Sequence, residues 1–172
     1  MQLENSVSDF PYHRFSLVWL PNAFKIMRFP ANADVPLDQL GGANLFLART
    51  SDEVSVLCEA RQELISDSSH GPLRGFRVAG QLEFELVGVL AELTRVLARA
   101  KISVVTESTF NTDYIFIEES AVESAIAALQ DAGFKFDTCT ALLRARRLSE
   151  ARGIRRNLAR RQADVFHERT RE

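Results

Sequence analysis

Five consecutive residues, Thr109-Phe110-Asn111-Thr112-Asp113, put a hydroxyl, a row of backbone amides, an aromatic ring and a carboxylate side by side. They lie between two β-rich runs, 102–108 and 114–118. The segment has no glycine, so it is not the usual tight hairpin turn. The Asp113 carboxylate can accept charge-assisted hydrogen bonds from a cation such as an ammonium. The same residues also suit an ordinary polar loop, with Phe110 plugging the core. Both readings stay open on composition alone.

Other chemistries find less support. His13, His70 and His167 are far apart and lack metal-ligand spacing. Gly41-Gly42 has neither a phosphate-loop nor a dinucleotide pattern and reads as a tight backbone turn. No Ser, Cys or His motif of nucleophilic catalysis occurs, so no catalytic residue and no cofactor are expected. Cys58 and Cys139, distant in sequence and set among apolar or β-type residues, are expected to be reduced.

The elements that must position the loop follow from periodicity. The chain has 172 residues, enough for one ordinary domain or two very small ones. Its 12 Phe against one Trp and two Tyr suit a packed interior. No secretory signal opens the sequence, and no apolar run reaches the roughly 18–20 residues of a membrane span, so a soluble, cytoplasmic protein is expected. Strands are predicted at 14–20 and 23–29, separated by Pro21-Asn22, then at 44–50 and 54–60 around the Ser51-Asp52-Glu53 turn. One helical turn is allowed for before Gly41. Residues 66–75, SDSSHGPLRG, read as a linker.

Beyond that point the signals sharpen. Residues 76–80 form a strand. Leu86, Val89, Leu90, Leu93, Val96, Leu97 and Ala100 then recur at helical spacing. Residues 102–108 and 114–118 are strands. Ser120 and Glu123 read as a capping box opening a helix to about Ala132, with Gly133 at its left-handed end. Residues 134–136 close the pattern. The order β-α-β-β-α-β is the ferredoxin-like split unit, an α+β fold with an antiparallel sheet and two helices on one face. The expected organisation is a reduced unit at 14–64, a complete unit at 74–137 and a basic helical tail at 138–172.

Three segments, 40–59 (LGGANLFLARTSDEVSVLCE), 82–93 (LEFELVGVLAEL) and 102–119 (ISVVTESTFNTDYIFIEE), resemble the tandem ACT-domain proteins. These include small bacterial proteins of two ACT units and the longer CASTOR-type cytosolic arginine sensors. Ser108, Thr109, Phe110 and Asp113 match a Ser-Thr-aromatic-x-x-Asp loop found in that family. The resemblance covers residues 14–137. It implies an allosteric, amino-acid-binding protein without catalysis, in which Thr109, Phe110 and Asp113 face the turn Phe84-Glu85-Leu86. The free N–H groups at the start of the following helix would favour an α-carboxylate. Leu86 stands where arginine-binding members place an acid, with Glu85 adjacent, so a smaller or more apolar amino acid is expected. With one complete unit in the chain, a two-sided site needs a second copy, and a twofold homodimer is expected.

Charge is split along the chain. Residues 1–137 carry 11 Lys and Arg against 19 Asp and Glu, a net of −8; residues 138–172 carry 10 Arg against four acids, a net of +6. A helix over 141–163 would display eight arginines. Among them Arg144, Arg147, Arg152, Arg155, Arg156 and Arg160 are candidate partner-binding residues. Docking on the chain's own acidic body or on a protein partner is favoured over nucleic acid, because no aromatic residue interleaves with the run.

Overall fold

A computed structural model describes residues 15–137. Strand β1, Ser16–Pro30, begins the chain's single sheet among these residues. It runs straight through Pro21, where two separate strands were expected. The reason is a bulge. Between Trp19, which pairs with Phe76, and Ala23, which pairs with Arg74, three residues of β1 oppose one of the neighbour. Pro21 falls in that interruption, where no N–H is required of it.

Strands β2 (Phe46–Arg49) and β3 (Glu53–Glu59) form the expected hairpin. Thr50 closes it, its N–H donating to the Glu53 carbonyl at 2.9 Å. A single 3-10 turn, Leu37–Gln39, lies ahead of Gly41. Strand β4, Ser68–Val78, overturns the linker expectation for 66–75. Gly71-Pro72 reads as a break, yet it occupies a second β1–β4 bulge, with His70 opposite Ile26 and Leu73 opposite Phe24. A Cβ at Gly71 would meet the Phe24 carbonyl oxygen at 2.9 Å, so the backbone approach there requires glycine.

Helix α1 spans Val89–Arg99, shorter than the periodicity suggested. Val89, Leu93, Val96 and Leu97 are buried as expected, whereas Leu86 lies ahead of the helix and Ala100 is exposed. Strands β5 (Val104–Ser108) and β6 (Asp113–Glu118) flank the polar loop. Helix α2 spans Val122–Asp131 behind a 3-10 turn, Glu119–Ala121. Ser120 sits inside that turn, and no side chain caps α2, so the capping box is not formed. Its other end is as expected. Gly133 has φ +93°, its N–H reaches the Gln130 carbonyl, and the Phe134 N–H reaches that of Leu129, which is the Schellman arrangement.

The strand order is β2-β3-β1-β4-β6-β5, and β7 (Lys135–Phe136) joins the start of β1 in parallel. This is a ferredoxin-type α+β fold, antiparallel apart from that last pair. Strand β1, rather than β7, lies beside β4. The residues before and after position 66 therefore share one continuous sheet.

Register divides the sheet's two faces. Leu17, Trp19, Phe76, Val78, Ile115 and Ile117 share one face, all buried, and Phe136 stacks on Trp19 with ring centroids 5.5 Å apart. Phe24, Leu57, Leu73 and Phe116 share the other, together with Leu20 from the bulge. Phe46 of β2 touches Tyr114 and Phe116 of β6, at 5.0 and 5.8 Å between centroids. In a flat sheet those strands would lie about 19 Å apart, four ladder steps of about 4.8 Å each. The sheet is therefore curled toward this second face, and the two β1–β4 bulges, one in each strand, allow the bend. Burying each of these large apolar side chains contributes about 1.5–3 kcal/mol.

Candidate functional site

The loop between β5 and β6 is a self-bonded turn. The Thr109 N–H donates to the Thr112 carbonyl at 3.0 Å, and the Thr109 hydroxyl donates to the same oxygen at 3.0 Å. That hydroxyl also accepts from the Thr112 N–H at 3.3 Å. Thr109 thus shapes the loop with the very group that sequence reasoning offered to a ligand. Thr112, buried, fastens the loop to the sheet by donating its hydroxyl to the Val78 carbonyl at 2.8 Å. Its role was not singled out from the sequence. A threonine two residues before a strand's first aromatic gives no distinctive signal.

Asp113 opens β6 opposite Ser108 and accepts its hydroxyl at 2.6 Å. The carboxylate is half-buried and has lone pairs beyond the one Ser108 uses. Phe110 does not plug the core. It is 74% exposed and meets Phe84, also 74% exposed, edge to face with centroids 5.0 Å apart. The Leu82 N–H donates to the Asn111 carbonyl at 2.7 Å and joins the two segments through backbone as well. The structure therefore brings Phe84 and Phe110 together.

Phe84, Glu85 and Leu86 do not form the helix's first turn. The Leu86 N–H returns to the Glu83 carbonyl at 3.0 Å, a turn of its own. Helix α1 starts three residues after Leu86, with Gly88 at φ +95° ahead of it. Glu85 is exposed, Leu86 half-buried, and Val87, which sequence reasoning passed over, is 76% exposed. Within α1, Glu92 is buried and takes the Arg95 Nε–H at 2.6 Å. That bond, with the charges of Arg95 and Arg99, holds its carboxyl below the ordinary range despite burial.

The arrangement offers a carboxylate and a two-ring apolar wall. Among the described residues no group of three or more His, Cys, Asp or Glu could hold a metal ion. Cys58 is free and buried, and burial raises its thiol pKa, which suits a structural side chain. The candidate residues Arg144, Arg147, Arg152, Arg155, Arg156 and Arg160, the tail helix and Cys139 lie outside the described residues.

The loop, the turn before α1 and the strands that carry them fall within one recognisable module. Residues 68–131 match the ACT domain. The ACT match opens with β4 and closes with α2, so both segments of the candidate site lie inside it, while β1, β2, β3 and β7 lie outside. No curated protein matches the sequence. Among solved structures, the chain is similar to a protein from Agrobacterium tumefaciens, at 24% identity and a TM-score of 0.63, covering 71% of this chain and 91% of that one. It is also similar to a protein of unknown function from Vibrio cholerae, named a possible transport protein, at 18% identity and 0.55, covering 71% and 92%. The regulatory subunit of aspartate kinase from Thermus flavus is similar at 9% identity and 0.50, covering 68% and 96%. At these identities the likenesses speak to the fold. No described helix is long and apolar enough to cross a membrane.

Proposed function

We propose that this chain is an ACT-type regulatory protein that senses a small ligand, an amino acid, at the Thr109–Asp113 loop. It has no chemistry of its own. The observation that carries the reading is the pairing of Phe84 with Phe110, two rings in contact yet each about three-quarters exposed. A loop serving only the core would bury its aromatic residue. Asp113 pairs with the ligand's ammonium, and the unbonded amides of the first turn of α1 receive its carboxylate. Leu86 and the two rings favour an apolar side chain on the ligand. The ACT match over residues 68–131 supports a small-ligand regulatory role.

A thermal-shift screen of the twenty amino acids tests this. A ligand at 100 times its Kd adds about 2.7 kcal/mol of stability. Asp113→Ala should abolish that shift while leaving the unliganded fold intact. If no amino acid shifts the transition at millimolar concentration, the reading fails. We further propose a twofold homodimer with the loop near the subunit boundary, supported by the exposed rings and by strand β5 at the end of the sheet.

A second reading rests on the charge split of −8 against +6. In it the protein acts on a protein or nucleic-acid partner through the arginines of 138–172. Binding of nucleic acid would weaken steeply between about 50 and 200 mM salt; a flat response excludes that version.

A further inference from the structure

The curled face of the sheet carries a second set of groups, away from the Thr109–Asp113 loop. Register places Arg77, Tyr114 and Glu107 in one row across β4, β6 and β5, so their side chains share a face. It is the face that holds Phe24, Leu73 and Phe116, because Gly75 pairs with Phe116 and Phe116 with Val105 in the next row. Ser108 and Asp113, one position along the strands, therefore point to the opposite face.

Glu107 is the unusual member. It is half-buried, no described residue forms an ion pair or hydrogen bond with its carboxylate, and burial alone pushes that carboxyl up. Arg77 does not neutralise it. Tyr114 stands between them, two strand spacings separate them (about 10 Å), and the Arg77 guanidinium donates to the Val78 carbonyl at 3.1 Å. A half-buried carboxylate beside aromatic rings, with no cation of its own, is suited to receive one from outside.

The surroundings specify what carries that cation. Tyr114 and Phe46 meet edge to face at 5.0 Å and form a ring wall beside Glu107. Val105, half-buried like Tyr114 and Phe46, continues the wall, and all three pack on the buried cluster that holds Phe116 and Leu20. In the next row Gly75 lets the Phe116 ring and Leu20 pack down onto β4. A Cβ there would meet the Phe116 ring at 2.5 Å and Leu20 Cδ1 at 2.9 Å. We propose that the half-buried rim of this face, beside Glu107, is a second ligand site, selective for an organic cation: an ammonium seated on Glu107 with its apolar body against Tyr114 and Phe46. Rings attract a cation through their negative faces, and the carboxylate supplies the countercharge. The site is independent of the amino-acid reading, since it lies on the other face and uses none of the same side chains.

Titration calorimetry on the full chain tests the proposal, with 2-phenylethylammonium chloride as the probe and neutral 2-phenylethanol as its uncharged counterpart. The ammonium binds saturably, and the alcohol binds about tenfold more weakly or worse, the factor expected for one charge-assisted contact. Glu107→Gln, which keeps the side chain's shape, reduces ammonium affinity by a similar factor; its thermal transition reports that it is folded. The comparison of the two probes on the unaltered chain stands without any variant. Absence of ammonium binding, equal affinity for the alcohol, or binding that survives Glu107→Gln would each overturn the site.

Discussion

Glu59 is the best-buried carboxylate among the described residues, 2% exposed at the end of β3, and its replacement gives a quantitative test of how the N-terminal strands are held. Burial by itself would raise its pKa. Hydrogen bonds from the Asn22 side chain and the Arg61 Nε–H at 2.8 Å, the Arg61 charge and the Ala43 amide outweigh that and hold the carboxyl below 4.5. The Gly42 backbone packs so closely that a Cβ there would meet the carboxyl at 2.8 Å. Glu59→Ala removes the acceptor and strands Asn22 and Ala43. Arg61 is 70% exposed in its side chain and returns to water at little cost. Asn22 is half-buried and Ala43 exposed, so their donors regain water in part, and the loss is about 1–3 kcal/mol in total, well short of that of a fully buried ion pair.

The pH dependence of this contribution has a definite sign. A carboxyl whose folded pKa lies below its unfolded value stabilises the fold above the unfolded value and ceases to as pH falls through the folded one. Urea denaturation of the unaltered chain and of Glu59→Gln should give a constant stability difference from pH 8 to 6. Below about 4.5 the difference should shrink. A difference that grows on acidification would refute the assignment, as would a Glu59→Ala variant as stable as the parent.

Gly75→Ala should lower stability by about 1–3 kcal/mol in chemical denaturation, because the new methyl meets the Phe116 ring in the curled face. Phe110→Ala should change the unliganded melting curve little, by about 0.5 kcal/mol or less, since its ring is exposed and meets the equally exposed Phe84. Light scattering at micromolar concentration should give twice the chain mass; a monomer with and without ligand would remove the shared-boundary version of the site.

Local pattern carried the C-terminal part of the fold. The α1 stripe of Val89, Leu93, Val96 and Leu97 and the Gly133 helix end are both legible because each depends on residues within a turn or two. The N-terminal strands were harder. Pro21 and Gly71-Pro72 are local breakers, and only the β1–β4 register reveals that both fall in bulges where a breaker is tolerated. The curl of the sheet was invisible. It depends on Phe46 meeting Tyr114, a contact between residues far apart in sequence. Ser120 and Glu123 had the spacing of a capping box, but a 3-10 turn displaced the helix start past Ser120. At the candidate site, residue types suggested the loop and the resemblance suggested its facing turn. Neither indicated that the Thr109 hydroxyl would be spent within the loop, or that Glu107, on the other face, would have no partner among the described residues.

The central claim is that the Thr109–Asp113 loop binds an amino acid, and calorimetry tests it most directly. The full chain and Asp113→Ala would be titrated with the apolar amino acids, in buffer free of other amines. The account predicts one saturable site on the unaltered chain and loss of that binding in Asp113→Ala, with both proteins melting as folded domains. No heat with any amino acid up to millimolar concentration, or equal affinity in Asp113→Ala, would contradict it.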